Sequence, residues 1–221
     1  MRIFILFLLM LVFSSVSYAQ EKPPIVVELF TSEFCPACPP ADRYLEKLSE
    51  KGNVVALGCH VTYFSRKSNL GQEFCSQRQF DYMQRLRERS PYTPQFVLNG
   101  RRSVVGTNTS NVAASLLKAS SDKIGLITIS SKQKGVYAYE LPEAKYGAYE
   151  IMMAIYQKPQ TYRGATYANA VDKLTKLGLW DGGEDVRVLY PDLKSKHKGF
   201  AIFVQDRRSG EIVAAGQHKL P

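Results

Sequence analysis

The chain has 221 residues, of which 45% are apolar and 22% charged, with a formal charge of +9 and no low-complexity tract or internal repeat. Those proportions exclude a disordered or collagen-like chain and supply enough apolar material for one large domain or two small ones. The excess of Lys and Arg is dispersed, with short clusters at Arg85, Arg87 and Arg89 and at Lys194, Lys196 and Lys198, and no nucleic-acid motif accompanies it; such clusters favour acidic partners or an anionic membrane surface, but the preferred reading is a solvated surface that keeps the protein soluble.

At the N-terminus, Arg2, the apolar run Ile3 to Phe13 and small residues ending at Ala19 have the pattern of an export signal cut after Ala19. The run is shorter than the ~20 residues a membrane span needs, so no stable span is expected after cleavage. Loss of residues 1–19 removes Arg2 and leaves 28 Lys and Arg against 20 Asp and Glu, a formal +8. Export, to a periplasmic or secreted location, places Cys35, Cys38, Cys59 and Cys75 where disulfides persist.

After a Pro23-Pro24 linker, Ile25 to Phe30 reads as a buried strand that runs into Cys35-Pro36-Ala37-Cys38. Ala41 to Leu48 has helical spacing, with Tyr44, Leu45 and Leu48 on one side, and Gly52 stops it. Asn53 to Val61 reads as a second buried strand, and the strand, helix, strand unit predicts a parallel pair with a right-handed crossover. Thr62 to Gly71 is polar and reads as a loop, and Ser76 to Arg89 as an amphipathic helix with Phe80, Met83 and Leu86 on its apolar face. Gln95 to Leu98 and Ser103 to Val105 flank Asn99-Gly100, a strong hairpin signal, before a helix over Asn111 to Lys118. This order, β, α, β, α, β, β, α, is the thioredoxin order.

Beyond Ser120 the texture changes to short strands, at 126–130, 136–140, 149–156, 186–190, 200–204 and 211–215, the last two joined as a hairpin through Arg207-Arg208-Ser209-Gly210. Val171, Leu174 and Leu177 fit a helical period, yet the segment through Trp180 fits an edge strand as well. The expectation is an α/β chain: signal peptide 1–19, thioredoxin-like domain 20–120, and a smaller, mainly antiparallel, sandwich-like β domain 121–221 packed against it.

A C-x-x-C pair serves metal and redox sites alike, and context separates them. Here it follows a buried strand and opens a helix, which places Cys35 at the helix N-terminus, where unpaired N–H groups and the positive end of the dipole favour thiolate. The thiolate attacks a disulfide, and Cys38, one turn on, resolves the mixed disulfide. Pro36 suits a first turn, whereas Pro39 and Pro40 are harder to place. A purely structural Cys35–Cys38 bridge closes too short a ring to restrain the unfolded chain much.

The run Val27-Glu28-Leu29-Phe30-Thr31-Ser32, followed by Cys35-Pro36-Ala37-Cys38-Pro39-Pro40-Ala41-Asp42, resembles a family of secreted bacterial thioredoxin-like proteins of unassigned function. Tyr92-Thr93-Pro94-Gln95 with Asn99-Gly100, and Leu177-Gly178-Leu179-Trp180-Asp181-Gly182, are similar to it too, so the resemblance covers nearly all of the mature chain. It implies a thioredoxin-like fold and export, and no substrate. In the wider superfamily a proline before the third strand is cis beside the redox cysteines. Pro94 matches that position, where X-Pro lowers the trans preference to ~0.5–1 kcal/mol, and the backbone of Thr93 would then face Cys35 and pair with an extended substrate.

Glu28, inside the first apolar strand, is either a buried proton acceptor for Cys38 or paired with a Lys or Arg at an exposed strand end. Cys59 and Cys75 form a structural disulfide worth ~3 kcal/mol, or stand as two free thiols. His60 reads as a hydrogen-bonded strand residue, and His197 and His218 suggest nothing specific. The reading is an exported thiol-disulfide oxidoreductase acting on protein thiols through Cys35 (nucleophile), Cys38 (resolving) and Pro94 (groove), with a redox partner protein and with no cofactor, metal or nucleic acid. The alternatives are a non-catalytic envelope binding module and a copper-delivery protein using Cys35, Cys38 and His60.

Overall fold

Ile25–Thr31 (β1) and Val54–His60 (β2) are apolar or small along almost their whole length and buried at every position. A strand buried on both faces must be parallel or central, and the two pair in parallel, Ile25 opposite Val54 through Thr31 opposite His60. The computed structural model describes residues 23–64 and 67–221, so the export signal expected over residues 1–19 lies outside the described residues. Gln95–Leu98 (β3) joins the other side of β1 antiparallel, and Arg102–Val105 (β4) follows through a tight turn, giving a first sheet in the order β2-β1-β3-β4. Asn99 and Gly100 make that turn with φ of 47° and 64°, the left-handed conformation that Asn-Gly adopts at low cost.

Pro39–Ser49 (α1) and Thr109–Ala119 (α3) cover one face of this sheet, where Leu45, Leu48 and Val112 meet Val27, Leu29, Phe96 and Leu98. Glu73–Arg85 (α2) lies on the opposite face, with Tyr82 and Cys75 against Phe30, Cys59 and Val97. The helix expected over 76–89 thus starts three residues earlier and ends four earlier. Its buried face also differs: Cys75, Ser76, Arg78, Gln79 and Tyr82 point inward, while Phe80 is 39% exposed. Polar side chains take the inner face because each finds a partner there: Ser76 accepts the Thr62 N–H at 2.9 Å, and the partners of Arg78, Gln79 and Tyr82 follow below.

The second half of the chain supplies two larger sheets and a two-stranded hairpin. One has five strands: Val171–Trp180 (β11), Tyr149–Gln157 (β8), His197–Asp206 (β13), Ile212–Lys219 (β14) and Gly125–Leu126 (β5), in that order. The other has three: Asp185–Leu189 (β12), Val136–Leu141 (β7) and Thr128–Gln133 (β6). Ile151, Ile155, Phe200 and Ile202 of the larger sheet pack on Tyr137, Tyr139 and Leu141 of the smaller. Its other face, Ala154, Tyr156, Ala201 and Phe203, packs on Val26, Val55 and Leu57 of the first sheet. The layers are therefore α1 and α3, the first sheet, then α2 beside the five-stranded sheet, then the three-stranded sheet.

Residues 171–180, which fit a helix and a strand equally in sequence, are strand β11, antiparallel to β8. Register shifts between Val171 and Lys173 and between Lys176 and Gly178 insert extra residues, and such bulges turn a period of two into an apparent period of three. A short hairpin unforeseen in the sequence, Gln160–Tyr162 (β9) with Ala165–Tyr167 (β10), precedes it. From there residues 168–170 run beside the open edge of β2, with Gly58 donating its N–H to the Asn169 carbonyl at 2.9 Å and Asn169 Nδ2 donating to the Ala56 carbonyl at 2.9 Å. Among the described residues no helix is long and apolar enough to cross a membrane.

Candidate functional site

The chain leaves β1 at Thr31 and turns through Ser32 to Cys38 before α1 begins. The Cys35 N–H donates to the Ser32 carbonyl at 3.0 Å and the Cys38 N–H to the Cys35 carbonyl at 3.2 Å. Cys38, not Cys35, is the residue that caps the helix, with Pro39 and Pro40 in its first turn. A helix starting earlier would carry these prolines where an N–H is needed for the intrahelical ladder, so they enforce the later start. Cys35 lies one turn ahead of the helix. It is bonded to Cys38 in a disulfide, 5% exposed against 0% for Cys38, and followed by exposed Pro36 and Ala37.

Pro94 immediately precedes β3. The Thr93–Pro94 peptide bond is cis. Gly106 locates the proline ring: a Cβ built there would lie 2.9 Å from Pro94 Cβ and 3.1 Å from Ala41 Cβ, so Pro94 and the first turn of α1 close on one side of the same glycine. The Thr93 hydroxyl is buried without a hydrogen-bond partner.

Glu28 does not belong to this cluster. Alternation along β1 sends Val27 and Leu29 toward α1 and Glu28 to the face of α2. There Arg78 grips both carboxylate oxygens, the Tyr82 hydroxyl donates to Oε2 at 2.5 Å, and Arg78 Nη1 donates to Gln205 Oε1 of β13 at 3.1 Å. Glu28 is therefore buried and paired, on the far side of the sheet from Cys38, and the expectation of a proton acceptor there is corrected. Cys59 and Cys75 are joined in a disulfide on that same far face, Cα to Cα 5.3 Å.

The buried carboxylate near the cysteines is Asp42, one helical turn after Cys38, whose N–H donates to the Cys38 carbonyl at 3.1 Å. It is 4% exposed; Oδ1 accepts from the Thr31 hydroxyl at 2.8 Å and Oδ2 has no partner. Burial pushes its pKa up to about 6, with the neighbouring Glu33 carboxylate acting in the same direction and His60 and the Thr31 hydroxyl opposing it. Sequence reasoning missed this role, although Asp42 shares the stripe of Ala41, Leu45 and Leu48 that faces the core.

Glu33 and His60 complete the buried group. His60 Nδ1 lies 3.2 Å from Glu33 Oε2, and Glu33 Oε1 accepts from the Ser68 hydroxyl at 2.6 Å and the Leu70 N–H at 3.1 Å. Burial raises the Glu33 pKa, but the bonds from His60, Ser68 and the backbone outweigh it and hold the carboxyl down to about 2. Tyr167 of β10 stacks edge-on against His60 at 5.1 Å. Nothing in the local sequence marked Glu33, because its partners come from residues 27 to 37 positions away. Among the described residues no group of three or more His, Cys, Asp or Glu is arranged to hold a metal.

A family described as a protein of unknown function, DUF1223, matches residues 26–205. No curated protein matches the chain at a significant level. A crystal structure of a protein from Agrobacterium tumefaciens is similar to it with a TM-score of 0.79 and 28% identity, over 92% of this chain and 99% of that one. HBP35 of Porphyromonas gingivalis is similar in fold, with a TM-score of 0.61 and 14% identity over 90% of this chain and 76% of that one. Two disulfides are what an oxidising environment sustains.

Proposed function

The chain belongs to the DUF1223 family, and from that premise we propose that it is an exported, thioredoxin-like thiol-disulfide oxidoreductase acting on protein thiols through Cys35 and Cys38. The observation that carries the reading is the buried Asp42 carboxylate, one oxygen unpartnered, one helical turn from a two-residue-spaced cysteine pair. A structural disulfide has no use for an adjacent base, and burying an unpaired carboxylate is costly. A resolving cysteine needs that base, because a buried thiol must lose its proton before it can attack.

The exchange balances as follows. The Cys35 thiolate of the dithiol form attacks one sulfur of a substrate disulfide; a Cys35–substrate bond forms, the substrate bond breaks, and the other substrate sulfur leaves as thiolate. Cys38 then gives its proton to Asp42 and attacks Cys35, closing the Cys35–Cys38 bond and releasing the second substrate thiolate. Two electrons pass from the protein to the substrate. The reverse sequence oxidises a substrate dithiol, and a redox partner protein restores the starting form. Cys35 is the more exposed residue of the pair, 5% against 0%, and Pro94 lies with Ala41 of α1 against Gly106.

The test is capture. Replacing Cys38 with Ser removes the exit from the mixed disulfide, so Cys38→Ser accumulates disulfide-linked partners in the exported compartment and Cys35→Ser does not. Non-reducing electrophoresis with identification of the captured proteins reads this. Capture through Cys38 alone reverses the assignment, and capture by neither variant favours a non-catalytic binding module.

A further inference from the structure

The β9–β10 hairpin comes from the second half of the chain, yet it packs beside the cysteine turn. Its base is fixed by Tyr167, buried against His60 and clustered with Leu70 and Ala170. Its tip is Arg163-Gly164, with φ of 52° and 79°. Tyr162 faces the Phe34 ring at 6.4 Å, and the Arg163 guanidinium lies over that ring at 5.1 Å. Phe34 is the residue immediately before Cys35.

Two features of Arg163 call for a function. A two-residue turn with both residues at positive φ favours Asn, Asp or Gly at its first position, and a long side chain there is a poor turn former. Arg163 is also exposed and has no ion pair among the described residues, while the acids closest to the cysteine turn, Glu33 and Asp42, are buried. An exposed cation is therefore held over the ring of Phe34, the residue next to Cys35 in the chain, with its guanidinium plane steadied on that ring.

We propose that Arg163 is a specificity residue that selects substrate segments carrying a carboxylate beside the reacting cysteine. This rests on the exchange reading above and deepens it by naming the substrate class: extended, acidic-flanked cysteine segments of exported proteins. The basic charge of the chain, +9 in full and +8 without residues 1–19, favours encounter with such segments. Phe34 and Tyr162 form an apolar wall along which the substrate backbone lies, and the Arg163 fork takes the carboxylate.

The experiment uses the pre-reduced full mature chain and three synthetic peptides, each with one cysteine held as a mixed disulfide with thionitrobenzoate. The residue after the cysteine is Glu, Gln or Lys. Attack of the Cys35 thiolate on the peptide sulfur releases coloured thionitrobenzoate, and its second-order rate is followed for wild type, Arg163→Asn and Arg163→Asp. Both substitutions suit the turn, so folding is preserved. The expected wild-type order is Glu over Gln over Lys, by about threefold to tenfold across the series, shrinking as salt is raised. The order collapses in Arg163→Asn and reverses in Arg163→Asp. Equal rates for the three peptides in wild type overturn the proposal. So does an equal fall for all three in the variants, which would assign Arg163 to the Cys35 thiolate instead of the substrate. Release from none of the peptides by wild type removes the exchange reading itself, and this proposal with it.

Discussion

Asp42 has its carboxyl in a place where the ionised form is poorly solvated, with the Thr31 hydroxyl its one side-chain hydrogen-bond donor among the described residues. Its pKa of about 6 against an ordinary 3.8 means the folded state holds the proton more tightly than the unfolded state. Stability is then highest below pH 3.8 as far as this group is concerned and is lost as pH rises through 6, by about 3 kcal/mol at neutral pH. Glu33 has the opposite sign: its lowered pKa contributes stability above pH 4.5 that is lost as pH falls toward 2. Asp42→Asn is therefore expected to be more stable than wild type at pH 7, with the gap closing as pH falls toward 4, measured by urea denaturation at each pH. The same variant should resolve mixed disulfides about a hundredfold more slowly and lose the rise in rate that wild type shows through pH 6. A variant that exchanges at the wild-type rate with the wild-type pH profile would remove Asp42 from the chemistry.

α2 shows how a helix with few inward apolar residues is held. Arg78 and Gln79 are both buried, and the Gln79 amide donates to the Tyr92 carbonyl at 2.7 Å and to Gln95 Oε1 at 2.8 Å. Arg78 joins Glu28 of β1 to Gln205 of β13, so one guanidinium ties three elements. Removing one partner of a buried pair leaves the other charge uncompensated. Glu28→Ala is expected to cost about 3–5 kcal/mol, whereas Glu28→Leu combined with Arg78→Met should recover most of that loss, both read by urea denaturation. In the double variant, reactivity at Cys35 should stay at the wild-type level, because Glu28 faces away from Cys35 and Cys38. A loss of exchange in a fully folded double variant would return Glu28 to the site.

At the scale of the molecule, Val26, Val55 and Leu57 of the first sheet are buried by side chains from β8, β11, β13 and β14. Asn99 reinforces the junction, accepting the Val26 N–H at 2.8 Å through its side chain and the Ile212 N–H at 2.9 Å through its carbonyl. Its neighbour Gly100 has no room for a side chain, since a Cβ would fall 2.1 Å from the Gly210 carbonyl oxygen. Halves that share a core unfold together. All the helices among the described residues lie before residue 120 and the single tryptophan, Trp180, lies after it. Helical circular dichroism and Trp180 fluorescence thus report on different halves, and their urea transitions are expected to coincide. Two separated midpoints would show that the halves fold independently.

By itself the sequence determined the features that depend on neighbours along the chain. Continuous apolar runs defined β1 and β2, Asn99-Gly100 defined a hairpin, and Cys35-Pro36-Ala37-Cys38 between a strand and a helix marked the segment that carries the first disulfide, because period, turn chemistry and spacing are local properties. The tertiary structure decided what depends on which side chains meet. Whether Glu28 or Asp42 lies near the cysteines follows from the side of β1 on which α1 packs. Whether Arg78 can be buried depends on a glutamate fifty positions away. The side chains packed on Phe34 come from a hairpin more than a hundred residues later, and no local pattern encodes that contact, since the hairpin's position is set by the packing of Tyr167 on His60 and not by its own residues alone.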